Sequence, residues 1–282
     1  VRRILITGKD SYIGTSFDSW VSQWPDKYKV DTIDVKSNKW RGLSFSYYDV
    51  VYHIAAIVHV KENNSDKYFK VNRDLAVEIA KNAKAEGVKQ FIFLSTMGVY
   101  GSETGFLDKN TKPSPKTPYA KSKLEAEELL KGLADDSFKV ATLRPPIVYG
   151  KGCRGNYSRL AGMALKLPIF PKIKNERSMI FIDNLSEFVR LTIDKDLSGF
   201  LFPQNKEYVN TTNLVQLIAK AHGKELKATG LFNPFVSLGI KMSETFGKAF
   251  GSFTYDMKMP GGPGEYNYET CSFEESVERT EK

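Results

Sequence analysis

The chain has 282 residues, 41% hydrophobic and 26% charged, with a formal net charge of +8. That length supports one large domain or two moderate ones, and the composition excludes disorder as the dominant state. The lysines are scattered rather than gathered in runs, so no nucleic-acid partner is expected, and a mildly basic cleft for an anionic small ligand suits the charge better.

From the N-terminus, VRRILITG sets two arginines before an apolar stretch too short for a leader peptide, so it reads as a first strand. ILIT (4–7), VDTIDV (30–35), DVVYHIA (49–55), QFIFLST (90–96) and KVATLRP (139–145) read as strands. Several are apolar almost throughout, the pattern of parallel strands covered on both faces. Helical stretches lie between them, the clearest at 68–86, where Phe69, Val71, Leu75, Ile79, Ala80 and Ala83 share a face. The βαβ rhythm predicts an α/β protein with a Rossmann-type doubly wound parallel sheet. The expected partition is 1–150 with 178–204 for a dinucleotide-binding domain, and 151–177 with 205–282 for a smaller substrate domain.

TGKDSYIG (7–14) sits between the first strand and a helix, where a dinucleotide fingerprint belongs. Gly8 allows the tight turn, Gly14 allows close helix–sheet packing, and the amides of Tyr12 and Ile13 open the helix toward a pyrophosphate. Ser11 stands where a middle glycine is usual and is expected to hydrogen-bond phosphate. Asp34, at the end of the second strand, suits a ribose 2′-hydroxyl and favours NAD(H), while Lys9 and Lys36 leave NADP(H) open.

STMGVYG (95–101) comes off the fourth strand, so Ser95 and Thr96 are placed at its carboxyl end, where ligands bind in such sheets. TPYAKSKLEAEELL (117–130) reads as a helix capped by Thr117 with Pro118 at its first position. Tyr119 and Lys123 stack on one face and Lys121 points elsewhere. This set suits hydride transfer at a carbinol or ketone: the phenol moves the proton, and the adjacent ammonium is expected to lower its pKa. Thr96 would fix the reacting oxygen, and Lys123 could also hold a nicotinamide ribose.

Beyond Pro146 the pattern loosens. YSRLAGMALKL (157–167), NLSEFVRLTI (184–193) and TTNLVQLIAKAHG (211–223) read as helices and MIFID (179–183) as a strand. Residues 235–250 carry Phe235, Leu238, Met242, Phe246 and Ala249 at helical spacing and are expected to pack that stripe onto the domain rather than onto a membrane or partner. MPGGPG (259–264) precedes a short tail. Cys153 and Cys271 form no disulfide framework, and His53, His59 and His222 lack metal-ligand spacing, so no metal is expected. No stretch reads as a membrane span, and a cytoplasmic protein is expected.

TGxxxxIG, DVVYHIAA, Asn72 in KVN, STMGVYG, YAKSK and LRPPIVYG stand in the order found in the extended short-chain dehydrogenase/reductases that act on nucleotide sugars, and residues 3–223 resemble that family. RPPIVYGKGCRGNYSRL and NERSMIFIDNL resemble a branch of 4-keto-sugar reductases and 4-epimerases of UDP-N-acetylhexosamines from capsule and O-antigen synthesis. The resemblance implies Thr96, Tyr119 and Lys123 as the catalytic set. It implies cofactor contacts at Gly8, Ser11, Tyr12, Ile13, Gly14, Asp34, Ala55, Ala56, Lys123 and Pro146, and substrate contacts at Thr96, Asn156 and Arg177. A UDP-linked sugar and a homodimer follow by the same resemblance. A dehydratase would need acidic side chains after the threonine, where Met97 and Gly98 stand. Overall resemblance favours a 4-keto reductase over a 4-epimerase; a non-catalytic dinucleotide sensor is the remote alternative.

Overall fold

A computed structural model describes residues 1–58, 64–102 and 104–282; His59 lies outside the described residues. The chain opens with β1 (Arg2–Thr7), α1 (Tyr12–Val21) and β2 (Tyr28–Ile33), then a 3₁₀ turn (Asn38–Gly42) and β3 (Val50–His53). Next come α2 (Ser65–Tyr68), a π-helical turn (Phe69–Asp74) and α3 (Leu75–Ala85), a continuous helical run that the single stretch 68–86 anticipated. β4 (Gln90–Leu94), a 3₁₀ turn (Met97–Tyr100), β5 (Gly105–Leu107), α4 (Pro118–Lys131), β6 (Lys139–Leu143) and β7 (Ile147–Tyr149) follow. The rest is α5 (Asn156–Lys166), β8 (Ile169–Pro171), β9 (Met179–Phe181), α6 (Ile182–Asp194), β10 (Gly199–Leu201), α7 (Thr211–Ala221), β11 (Lys227–Thr229), α8 (Asn233–Met242), α9 (Glu244–Phe250), β12 (Phe253–Tyr255) and α10 (Phe273–Glu281).

Two compact units result. The first comprises Val1–Gly101, Lys112–Pro145 and Ser186–Phe202. Its six-stranded sheet has the order β10-β6-β4-β3-β1-β2, with every pairing parallel. β1 therefore lies inside the sheet, and the crossovers run outward in opposite directions from the β1–β3 gap. That gap is the topological switch point, where the carboxyl ends of the strands open a crevice for a ligand. Ile4, Ile6, Val51, Tyr52, Phe91, Phe93, Ala141 and Leu143 are buried to within 1% of completely, which is why these strands read as continuous apolar runs. Ala76, Ile79, Ala80 and Ala83 of α3 and Ala126 and Leu130 of α4 join Phe91, Phe93 and Val140 in one core, and the small alanines let the helices approach closely.

The second unit comprises Ser102–Thr111, Pro146–Leu185 and Pro203–Lys282. It is held by short two-stranded ladders: β5 with β12, β7 with β9 and β8 with β11. Residues 102–111 and 146–149 group here because β5 and β7 find their partners here. The tail after MPGGPG is α10, which buries Val277 and packs on α7.

The stretch 235–250 departs from expectation twice. It is two helices, broken at Ser243, whose backbone is extended. Its apolar stripe also faces outward: Phe235 is 75%, Leu238 57% and Met242 77% exposed. The inward contacts come instead from Val236 and Phe250, and from Phe246 closing on Gly239, where an added Cβ would meet the ring at 2.6 Å. Among the described residues, no helix is long and apolar enough to cross a membrane.

Candidate active site

The loop after β1 is built by two glycines and one serine. Gly8 has φ of +121°, and a Cβ there would meet the Ala55 nitrogen at 3.1 Å, so only glycine lets the β1 exit lie against the β3 exit. Gly14 packs on the sheet: its missing Cβ would be 2.8 Å from Ile54 Cδ1. Ser11 is the N-cap of α1, and its hydroxyl accepts the Gly14 amide at 3.2 Å. The serine thus satisfies an amide that has no intrahelical partner, and the bond leaves its own hydroxyl proton to donate. Asp34 lies one residue beyond β2 with an exposed side chain, and its Oδ1 accepts the Lys36 amide at 2.9 Å. Ala55, whose amide donates to Thr7 at 2.9 Å, and Ala56 are half-buried beyond β3. A tight glycine turn, the first turn of α1 and an exposed carboxylate just past the next strand end fit a dinucleotide.

Thr96 follows β4 and caps the 3₁₀ turn, its Oγ1 accepting the Gly98 amide at 3.0 Å. That leaves the hydroxyl proton for the Tyr119 phenol, with which Thr96 is hydrogen-bonded. Tyr119 stands in the first turn of α4, where Thr117 accepts the Ala120 amide at 3.2 Å and Pro118 leads. Lys123, one turn on, is 1% exposed; its Nζ donates to the Leu94 carbonyl at 2.8 Å and lies 4.5 Å from the Phe93 ring centroid. Lys121 is exposed.

The electrostatics differ from the sequence expectation. Burial pushes the Tyr119 phenol up to about 12, against the Thr96 hydrogen bond, which lowers it. The Lys123 ammonium donates to the Leu94 carbonyl. Burial lowers Lys123 itself to about 7, opposed by the carboxylate of Glu127.

Glu127, one further turn along the same face of α4, is a site residue that the YxxxK spacing alone did not signal. It is fully buried and paired with Arg144, whose Nη2 lies 2.5 Å from Oε2. Arg144 Nε donates to both carboxylate oxygens at 3.1 and 3.2 Å, its Nη1 donates to Tyr100 at 3.0 Å, and Ser95 donates to Glu127. The guanidinium also lies 4.4 Å from the Phe200 ring centroid. The signal was in the sequence as the i+4 repeat Tyr119–Lys123–Glu127, read one turn too short. Burial raises the Glu127 carboxyl, while Arg144 and Ser95 hold it down.

Two further residues brace this face. Asn72, in the π-helical turn, clasps Ile57 through both its amide (2.8 Å) and its carbonyl (3.1 Å) and donates to Ser122 of α4 at 3.1 Å. His53, at the end of β3, is buried between Phe91 and Phe93, with Nδ1 at 2.7 Å from Thr7 Oγ1. Burial, reinforced by the Lys123 charge, lowers it to about 3, so it is a neutral core residue.

The other expected contacts lie in the second unit. Pro146 is buried ahead of β7, and Asn156 is half-buried as the first residue of α5, after Gly155 with φ of +103°. Arg177, expected on a diphosphate, is 6% exposed, and its Nη1 donates to the carbonyls of Gly247 (3.1 Å) and Gly251 (2.7 Å). That nitrogen ties the middle and the C-cap of α9 to the segment around residue 177.

Residues 21–199 match the family model described as the NAD dependent epimerase/dehydratase family. UDP-glucose 4-epimerase of Vibrio cholerae is 31% identical over 251 residues, covering 79% of this chain and 76% of that one. N-acetyl-alpha-D-glucosaminyl-diphospho-ditrans,octacis-undecaprenol 4-epimerase of Escherichia coli O157:H7 is 26% identical, covering 73% of this chain; the chain spans 64% of its length. Among solved structures, UDP-glucuronic acid 4-epimerase from Bacillus cereus in complex with NAD shares the fold at a TM-score of 0.74 and 20% identity, covering 99% of this chain and 95% of that one. MoeE5 in complex with UDP-glucose and NAD does so at 0.73 and 18%, covering 99% and 97%.

Proposed function

The chain belongs to the NAD dependent epimerase/dehydratase family, and from that premise we propose that it transfers hydride at C4 of a UDP-linked hexose or N-acetylhexosamine. The observation that carries this reading is Tyr119 in the first turn of α4 with the buried Lys123 one turn on along the same helix face, Thr96 lowering the phenol's pKa. NAD, when bound, supplies the hydride acceptor and donor. The chain's own residues supply the rest.

Tyr119 exchanges the proton of the C4 oxygen. Held near 12, its phenol is a proton donor at neutral pH, suited to quenching an alkoxide as hydride arrives at a ketone. In the reverse direction it accepts the carbinol proton, which needs positive charge beside it. Lys123 can meet that need if its ammonium turns from Leu94 toward the phenol and the nicotinamide ribose. Thr96 holds the same oxygen in line. Gly8, Ser11, Tyr12, Ile13, Gly14, Asp34, Ala55, Ala56 and Pro146 are the cofactor contacts in this reading, with Ser11 also capping the helix. Asn156 and Arg177 are the candidates for the substrate diphosphate, Arg177 with its Nη1 on the Gly247 and Gly251 carbonyls.

The UDP-glucose 4-epimerase relative at 31% identity supports 4-epimerisation, for which NAD would be retained, and the branch resemblance supports 4-keto reduction with external NAD(P)H in polysaccharide synthesis. Both use the same three residues. Purified protein should be tested for bound cofactor and then offered UDP-glucose, UDP-GlcNAc and a UDP-4-keto-6-deoxy-hexosamine. Interconversion without added cofactor identifies the epimerase, and stoichiometric NAD(P)H oxidation with the keto-sugar identifies the reductase. Tyr119→Phe should reduce kcat by about 100- to 10,000-fold with unchanged circular dichroism; undiminished turnover would remove the assignment.

A further inference from the structure

The second unit presents an apolar face that nothing among the described residues covers. Phe235, Leu238 and Met242 lie at i, i+3 and i+7 of α8, within about 60° of one another around the helix. Leu231, 80% exposed, extends the stripe ahead of the helix. The face borders the β8–β11 ladder: Asn233 Nδ2 donates to the Lys172 carbonyl at 2.9 Å, and β8 contributes Ile169, 46% exposed and paired with Lys227. Isolated exposed apolar residues are ordinary, but a continuous stripe of large ones marks an interaction site.

The charge around the stripe selects the occupant. Residues 166–174 and 224–250 contain seven lysines and only two acidic residues, Glu225 and Glu244. Lys166, Lys172, Lys224 and Lys227 are exposed. A second copy of the chain would bring one lysine set against another, and that repulsion opposes a symmetric dimer through this face. An anionic lipid surface accepts both parts: aromatic and thioether side chains enter the boundary of the acyl region, and lysines meet the headgroups.

We propose that α8 is a membrane-surface docking helix that seats this protein on an anionic bilayer through Phe235, Leu238 and Met242, with the surrounding lysines on the lipid phosphates. The helix lies on the bilayer and does not span it. The docking is independent of which reaction the first unit catalyses, so the two can fail separately.

Co-sedimentation with phosphatidylcholine vesicles, and with mixed phosphatidylcholine–phosphatidylglycerol vesicles, tests it. The protein should pellet with the mixed vesicles, much less with phosphatidylcholine alone, and less as salt rises. The triple variant Phe235→Ser, Leu238→Ser, Met242→Ser should weaken binding about tenfold or more. Lys166→Glu with Lys172→Glu and Lys227→Glu should abolish the preference for the anionic vesicles. Both variants should keep the thermal midpoint and the turnover of a soluble UDP-sugar. Absence of vesicle binding, or binding that survives the triple serine variant, overturns the proposal. So does a wild-type oligomer, or a complex with an acidic protein, that the triple variant dissolves without any vesicle binding.

Discussion

α4 and α8 are both amphipathic helices, and each breaks the rule that polar residues face water, in opposite directions. α4 buries Ser122, Lys123 and Glu127 while Leu129 stands 50% exposed. α8 leaves Phe235, Leu238 and Met242 in solvent. A buried charge and an exposed apolar stripe are the two informative departures from ordinary burial, and each raises the free energy of the isolated chain. In the proposed reading the first unit uses its departure for proton chemistry, and the second uses its own for contact. What separates the helices is the surroundings: α4 rests on a sheet that supplies Arg144, Ser95 and the Leu94 carbonyl to satisfy its charges.

That comparison can be broken at several points, with the largest effect at the buried ion pair. Arg144→Met leaves Glu127 uncompensated and should cost about 3–5 kcal/mol, seen as a lowered denaturant midpoint, whereas adding Glu127→Gln should recover most of the loss. If the single variant is as stable as the parent, the pair is not what holds α4 against the sheet.

A smaller and pH-dependent effect is expected at Lys123. Its folded pKa, about 7, is below the ordinary 10.5, so between those values the unfolded chain binds more protons and stability rises with pH. The cost of burying the charge is therefore fully present below about pH 7. Lys123→Met should raise the thermal midpoint at pH 6 and do so much less at pH 10, while activity is lost at both. An equal change at the two pH values would mean that the lysine is not forced to bury its charge.

The smallest effect belongs to α8. Changing Phe235, Leu238 and Met242 together to serine should alter stability by no more than about 0.5 kcal/mol per position in urea unfolding, because surface side chains contribute little to the folded state. A loss of several kcal/mol would place these residues in a core instead.

Much of the first unit was legible in the sequence. Five of its six strands were read from the sequence, several of them apolar almost throughout, and Thr117–Pro118 announces α4 by its cap chemistry. β10 escaped because three residues carry no periodicity. Ser11 has a second role that its residue type alone did not show: its hydroxyl accepts the Gly14 amide as the cap of α1 and keeps its own proton to donate. The direction of the Arg177 fork depends on carbonyls seventy and more residues away in sequence. The stripe of 235–250 was legible as a stripe, but the same spacing serves an inward or an outward face, and only the packing of Val236 and Phe250 tells them apart.

The π-helical turn Phe69–Asp74 has a consequence of its own. Such a turn is an α-helix carrying one surplus residue. Removing that residue would turn everything beyond it by about 100°, and the Asn72 amide could no longer grip Ile57 while touching Ser122. The surplus residue thus works as a spacer that sets the phase between the β3 exit and α4, and a homologue shortened by one residue here would need a different clasp to keep Tyr119 in place.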